Sequence, residues 1–307
     1  MDKSKKSKIQ TNFGMKIIRS FQKSEFSPIL TIGNFDGLHL GHRAILNQMQ
    51  ILSRKYNIQR ALITFEPHPI KIIKPDKYFS QRVLTLSDKL NLLRKENLID
   101  VVYLINFTKN LAEMNAVDFV KNILVRKMQV KYLFVGYDFT FGKNKEGNFA
   151  LLKEMGLEFG FDVIKIDQRK FHHEVISSTR IRKLISNGDI ASCNKMLGRN
   201  YHISGRVVTG QGLARQLGFP TANVKINPNL AVLRNGVYKV KVFFNGNNTA
   251  FFAVANFGIK PTFGENKICF EVHILNFNGD IYGHKIIVEI IDFIREEKKF
   301  LSIRNGY

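Results

Sequence analysis

The chain has 307 residues, 44% of them hydrophobic, and a formal net charge of +22. That length suits about two domains, and the apolar content excludes a disordered polymer. No apolar run reaches the roughly 20 residues a membrane-spanning helix needs; the two cysteines, Cys193 and Cys269, are too few for a disulfide framework, so a reducing, cytoplasmic setting fits.

The charge needs a reading of its own. A strongly basic chain is compatible with nucleic acid. Here, however, lysines are spread along the whole sequence among many Asn, Ile and Phe residues, a mixture that AT-rich coding produces without a polyanionic partner. Anionic nucleotide substrates suit the same charge. Both explanations rank above nucleic acid.

In chain order, residues 1–14 (MDKSKKSKIQTNFG) are basic with no apolar stretch behind them, and read as a flexible extension rather than a secretory signal. The organising stretch is Thr31–Leu46, TIGNFDGLHLGHRAIL. Ile29, Leu30 and Ile32 end a buried strand, Gly33 and Gly37 make a tight turn, and Ala44, Ile45 and Leu46 open a helix. A helix's first N–H groups are unpaired and carry partial positive charge, so a phosphate chain is a natural ligand there. His39 and His42 can point to one side and donate to phosphate oxygens as charge develops. Packing explains either histidine alone, but not the whole string G-x-F-D-G-x-H-x-G-H after an apolar strand. H-x-x-H also lacks the further ligands of a closed zinc site.

Ala61–Phe65, Val101–Ile105, Lys131–Val135 and Asp162–Ile166 read as strands. Leu86–Asn97 and Asn110–Val125 read as helices, the second with Leu111, Met114, Val117 and Val120 on one face. This alternation predicts a parallel sheet covered on both faces, with ligands outside the carboxyl ends of its strands. FEPHP (Phe65–Pro69) and GYDFTFGKNKEGN (Gly136–Asn148) each follow a strand. The prolines stiffen the first of these as a turn. VISSTRIR (Val175–Arg182) precedes helical spacing at Ile181, Leu184 and Ile185, which Asn187-Gly188 ends. Ser177, Ser178 or Thr179 can cap that helix. Arg180 reads as an exposed helix residue, and His172-His173 carries no role. Asp189–Leu197 reads as a linking helix closed by Gly198.

From Tyr201 the period changes to two. Tyr238, Val240, Val242 and Phe244 lie on one face, with Val237, Lys239, Lys241 and Phe243 on the other. Further strands are expected at His202–Val208, Thr249–Asn256, Ile268–Leu275 and Lys285–Phe293, with turns at Asn245-Gly246 and Asn278-Gly279-Asp280. Five or six antiparallel strands predict a small closed barrel, with the boundary near residue 199. Gly205–Asn223 (GRVVTGQGLARQLGFPTAN) holds glycines at 205, 210 and 212 with Arg206 and Arg215, which could wrap phosphates or form only a flexible basic loop.

These strings resemble a known family. G-x-F-D-G-x-H-x-G-H resembles the HxGH signature of the nucleotidylyltransferase superfamily. Its longer form matches the adenylyltransferase module of prokaryotic bifunctional riboflavin kinase/FAD synthetases. FEPHP resembles that family's strand-end segment, with Glu66 where Asp is usual. Gly136-x-Asp138-Phe139-x-Phe141-Gly142 resembles its loop beside nucleotide and flavin. ISSTRIR resembles the second phosphate-binding motif, LGFPTAN the riboflavin kinase signature, and NFGIKPTF (Asn256–Phe263) and EVH (Glu271–His273) further segments of the kinase half. Ala214 stands where the family usually has another glycine.

The resemblance implies an α/β plus all-β protein: a Rossmann-like nucleotidylyltransferase domain with a parallel sheet over residues 15–199, then a small antiparallel riboflavin kinase-like β-barrel over 200–307. It implies phosphorylation of riboflavin to FMN and adenylylation of FMN to FAD, using Mg²⁺ and ATP. His39, His42 and Arg182 would serve adenylylation. Glu271 would take the proton of the ribityl hydroxyl. Gly33, Phe35, Asp36, Gly37, Gly41, Ser177, Ser178, Thr179, Gly205, Arg206, Gly210 and Gly212 would contact ATP or phosphate. Thr221 and Asn223 would bind Mg²⁺ through the ATP phosphates, and Pro67, Pro69, Asp138 and Arg295 the flavin. Small molecules would be the partners of a cytoplasmic monomer or weak homo-oligomer, with neither nucleic acid nor membrane. The competing readings are an FAD synthetase whose barrel has lost kinase activity, and a basic nucleic-acid-binding protein.

Overall fold

The computed structural model describes residues 14–75, 81–209, 221–244, 249–262 and 265–297. The basic extension up to residue 13, Gly210, Gly212, Ala214, Arg215 and the Asn245-Gly246 turn lie outside them. The chain forms two compact units. The first takes the described residues of Met1–Asn34, Arg43–Tyr78 and Leu90–Gln168; the second takes those of Phe35–His42, Phe79–Lys89 and Arg169–Tyr307.

The first unit is built on six parallel strands: β1 (Lys16–Ile18), β2 (Ile29–Ile32), β3 (Arg60–Phe65), β4 (Val101–Ile105), β5 (Tyr132–Gly136) and β6 (Asp162–Ile166). Their spatial order is β1-β4-β3-β2-β5-β6. β2, β3 and β4 are near-continuous apolar runs, as strands covered on both faces require. Chain progression reverses between β2 and β5, the switch point where such sheets bind ligands. At the opposite end, buried Arg60 ties β3 to the start of β4. Its guanidinium donates to both Asp100 carboxylate oxygens (3.0 and 2.6 Å) and to the Asn97 carbonyl (2.8 Å).

The helices of this half of the chain are α1 (Leu40–Tyr56), α2 (Pro69–Ile73), α3 (Leu86–Lys95), α4 (Lys109–Ala112), α5 (Ala116–Asp118) and α6 (Phe149–Phe159). Where one helix is expected over Asn110–Val125, the chain breaks in two. The Asn115 side chain accepts from the Asp118 N–H (2.7 Å) and caps α5, which continues into a π-helical segment over Phe119–Val125. Glu146 Oε1 accepts from the Ala116 N–H (2.7 Å) and holds the break open. Val117, placed on the buried face by helical spacing, is 40% exposed as a result.

In the second unit a short hairpin, β7 (Lys170–Phe171) with β8 (Glu174–Val175), leads to α7 (Ser178–Asn187) and α8 (Ile190–Leu197). Gly188 and Gly198 close these helices in the left-handed conformation, with φ of 79° and 67°. Six strands then close a barrel: β9 (Tyr201–Val208), β10 (Ala222–Ile226), β11 (Gly236–Phe244), β12 (Ala250–Thr262), β13 (Glu265–Ile274) and β14 (Lys285–Arg295), in the order β10-β13-β12-β11-β14-β9. Tyr238, Val240 and Val242 point inward and are fully buried, as the period-two pattern requires. Ile181, Ile185, Met196 and Leu197 pack on the same core. Burying each such side chain is worth about 2 kcal/mol.

Two local expectations change. β10 is a strand of its own, hidden in the sequence because its first residues belong to a motif string. The connection after β13 turns not at 278–280 but at Asn276 (φ 53°) and Gly283 (φ 76°), with Asp280 accepting from the Tyr282 N–H (3.0 Å).

Candidate active sites

The loop after β2 is tightly wound. Phe35, Gly37 and Leu38 have φ of 48°, 83° and 42°. Left-handed backbone costs a non-glycine residue about 1–2 kcal/mol, offset here by burial of the Phe35 and Leu38 side chains. Glycine is required at 37, where a β-carbon would also meet Val83 Cγ1 at 2.9 Å.

His39 and His42 stack, with ring centroids 3.6 Å apart and planes at 18°. The His42 N–H donates to His39 Nδ1 (3.3 Å) at the start of α1. That fixes Nδ1 as an acceptor, so the neutral His39 ring carries its proton on Nε2. Burial, helped by the Arg199 charge, lowers the His39 pKa to about 4. Burial also holds His42 well below the usual imidazole range, with His39, Lys89 and Arg199 acting in the same direction. Both rings are neutral at pH 7, and His42 Nδ1 is buried with no hydrogen-bond partner among the described residues.

The loop is pinned to the start of α7. Ser177 caps that helix by accepting from the Arg180 N–H (3.3 Å). The Ser178 hydroxyl donates to the Asp36 carbonyl (2.8 Å). Arg182 reaches the Asp36 carboxylate (2.8 Å) and donates to Thr179 Oγ1 (3.1 Å). Asp36 also accepts from the Val83 N–H (2.9 Å). Burial pushes the Asp36 carboxyl up, opposed by Arg182, Leu84, Val83 and Lys89. So Phe35, Asp36, Gly37, His39, Gly41, His42, Ser177, Ser178, Thr179 and Arg182 come together in one unit, across more than 130 residues of sequence. Arg180, expected to be exposed, instead pairs with Glu174 and donates to the Phe171 carbonyl (3.1 Å).

Gly33 donates its N–H to the Ile63 carbonyl (3.0 Å). Pro67 and Pro69 follow β3: the Glu66-Pro67 bond is cis, and Pro69 opens α2, which His68 caps by accepting from the Ile70 N–H (3.3 Å). Asp138 follows β5, with Oδ1 3.7 Å from where a Gly136 β-carbon would stand. These four belong to the first unit, at the carboxyl ends of β2, β3 and β5.

The barrel holds the second constellation. Asn223 on β10 is in register with Glu271 on β13, which is in register with Asn256 on β12. Their chain neighbours Ala222, Val224, Val272, Ala255 and Phe257 are buried, so the three polar residues form a row on the outer face. Thr221 lies two residues before Asn223. Cys269 Sγ donates to Glu271 Oε1 (3.2 Å), and Asn256 Nδ2 donates to Glu297 Oε1 (3.2 Å). Asn256 Oδ1 is buried with nothing donating to it among the described residues. Threonine, asparagine and glutamate offer oxygen donors only, the set a small hard cation takes. Among the described residues, no group of three or more His, Cys, Asp and Glu could hold a metal by itself.

Gly205 and Arg206, read as part of a phosphate-wrapping loop, lie within β9. A β-carbon on Gly205 would meet Val224 Cγ1 at 2.5 Å and the Lys225 carbonyl at 2.7 Å, so barrel closure alone demands glycine there. Arg206 donates to the Gly283 carbonyl (2.6 Å). Arg295 is exposed on β14 and donates to the Glu296 carbonyl (3.1 Å).

Sequence reasoning missed Arg199, which donates to the carbonyls of Gly37 (2.6 Å), Leu38 (3.2 Å) and Leu197 (3.3 Å). Its signal was faint: a lone arginine after a helix-closing glycine. It also missed Asn256 as a neighbour of Glu271, which only strand register reveals.

Comparison with known proteins gives matching results over both halves. The FAD synthetase family model matches residues 21–180, and the riboflavin kinase model residues 197–305. A bifunctional riboflavin kinase/FMN adenylyltransferase of Buchnera aphidicola subsp. Schizaphis graminum is 39% identical over 94% of this chain and 93% of its own. The protein of that description from Escherichia coli K12 is 38% identical over 94% and 92%. Among solved structures, that of a macrolide-efflux protein from Streptococcus pneumoniae superposes with a TM-score of 0.84 at 28% identity, covering 94% of each chain. The efflux label stays with that protein; among the described residues here, no helix is long and apolar enough to cross a membrane.

Proposed function

Since the chain belongs to the bifunctional riboflavin kinase/FMN adenylyltransferase family, we propose how its own residues divide that work. It phosphorylates riboflavin with ATP to give FMN, and adenylylates FMN with ATP to give FAD and pyrophosphate. We assign adenylylation to residues 15–199 and phosphorylation to 200–307.

The observation that carries the first assignment is the joining of the histidine loop to the start of α7 through Ser178 and Arg182. An FMN phosphate oxygen attacks the α-phosphorus of ATP, and the bond to the β-phosphate bridge breaks. Charge then builds on the departing pyrophosphate. His39, neutral with its proton on Nε2, donates a hydrogen bond there, as does His42. The hydroxyls of Ser177 and Thr179, the first-turn N–H groups of α7, that of Ser178 among them, and Arg182 hold the phosphates, while the Ser178 hydroxyl fixes the loop through the Asp36 carbonyl. Gly33, Phe35, Asp36, Gly37 and Gly41 shape the loop around them. No covalent nucleophile is needed; positioning and charge neutralisation suffice.

In the barrel, Glu271 takes the proton of the ribityl 5′-hydroxyl as that oxygen attacks the γ-phosphorus and ADP leaves. Thr221 and Asn223, the latter in register with Glu271, would hold Mg²⁺ together with the ATP phosphates. Bound there, the ion supplies charge neutralisation at the transferring phosphoryl group. Arg206, Gly210 and Gly212 are assigned to phosphate contacts in this reaction, and Pro67, Pro69, Asp138 and Arg295 to flavin contacts. We place the protein in the cytoplasm as a monomer or weak homo-oligomer, acting on small molecules rather than nucleic acid or membranes.

Mass spectrometry of products from riboflavin plus MgATP, and separately from FMN plus MgATP, tests the assignment. FMN and then FAD are expected in the first reaction and FAD in the second. FAD from FMN with no FMN from riboflavin would leave only the adenylylating half.

A further inference from the structure

Arg199 stands where the two halves meet: it is the last residue assigned to adenylylation, two positions before the first barrel strand, and the match to the riboflavin kinase family already begins at residue 197. Its hydrogen bonds reach the histidine loop. Two go to the carbonyls of Gly37 and Leu38 (2.6 and 3.2 Å), immediately before His39, and one to the Leu197 carbonyl at the end of α8. Both loop carbonyls belong to left-handed residues, so this backbone depends on its surroundings to keep its shape.

The phosphorylating half supplies a second brace. Arg82 donates its N–H to the Asn229 carbonyl (2.7 Å), and its carbonyl accepts from the Ala231 N–H (2.8 Å). That pairing presents the next N–H groups, of Val83 and Leu84, to the Asp36 carboxylate, the partner of Arg182. A third brace is Ser204 on β9, whose hydroxyl donates to buried Asp88 (2.8 Å). From these contacts we infer that Arg199 is a positioning residue for adenylyl transfer: the barrel side of the chain sets the geometry of the histidine loop.

The inference rests on the adenylylating role assigned to that loop. The choice of arginine follows from shape. A planar guanidinium can span adjacent carbonyls, whereas an ammonium group is a single point of charge. Its cation at the carboxyl end of α8 is also favourably placed against the helix dipole. Arg199 and Lys89 both disfavour a proton on His42, while Asp36 and Arg182 face the same loop. Displacing the loop by about 1 Å is enough to cost a transfer reaction about 100-fold.

The test uses the full chain, with R199A and R199K assayed for each half-reaction. R199A should lower kcat for FAD formation from FMN by about 100-fold with KM changed far less, while FMN formation from riboflavin stays within about twofold of wild type. R199K should fall between R199A and wild type in FAD formation. Kinase activity reports folding in the same tube. If R199A does not fold, R199K decides alone: a selective loss of FAD formation supports the inference. An unchanged FAD rate, or equal loss of both activities in R199K, overturns it. Wild-type protein that makes no FAD would instead overturn the underlying assignment.

Discussion

At the scale of single residues, the two reactions rest on groups with different protonation demands. Glu271 must be a carboxylate to accept a proton. E271Q should reduce FMN formation from riboflavin by about 10²–10⁴-fold and leave FAD formation from supplied FMN unchanged, as product chromatography would show. His39 must stay neutral to cap α1 through Nδ1. Its folded pKa of about 4 lies below the unfolded value of 6.5. As pH falls through that interval the unfolded chain takes up a proton first, so native stability falls with it. The loss from this group is about 3 kcal/mol by pH 4. Urea titrations between pH 7 and 4 should show this slope, and H39Q should reduce it, leaving the part that comes from His42. The histidines, Ser178 and Arg182 were legible because each sits in a multi-residue string. Arg199 was not: its partners in the histidine loop are more than 160 positions away in sequence, and one arginine carries no local pattern.

At the scale of elements, periodicity served well wherever burial alone set the structure. Five of the six strands of the parallel sheet and the inward face of β11 follow directly from it; β1, three residues long, is too short to show a pattern. It failed where a polar side chain overrode it. Asn115 is one such case: as a cap it ends one helical path and begins another, and helical spacing passes straight over it. N115A should cost about 1 kcal/mol, visible as a lower melting temperature with both activities retained. β10 was obscured for a different reason, since its polar residues face the outer row and its buried ones are few. Gly205 shows how a residue can mislead by company. It stands near other glycines in sequence, but a β-carbon there would meet Val224 and Lys225 across the barrel. G205A should destabilise by about 1–3 kcal/mol through overpacking, measured by chemical denaturation, whether or not nucleotide is present.

At the scale of the whole molecule, the question is whether one protein runs two independent transfers. His39 and Arg182 belong to the loop and α7, Glu271 and Asn223 to the outer face of the barrel, and no residue is assigned to both sets. H39A or R182A supplied with riboflavin and MgATP should therefore accumulate FMN and lose FAD formation by about 10²-fold or more. Joint loss of both products would contradict two separate pockets. The high positive charge enters at this scale too. Nothing in the two constellations requires a polyanion longer than a nucleotide triphosphate.

Neither compact unit is a continuous stretch of chain. A ribosome releases residues 35–42 long before it makes Arg199, and Arg82 before it makes Asn229 and Ala231, so the bonds joining them must wait. Translation delivers the adenylylation loop early and its supports late. The order of manufacture is thus the reverse of the order of dependence, and a nascent chain stalled short of the barrel would carry the signature histidines without the frame that sets them.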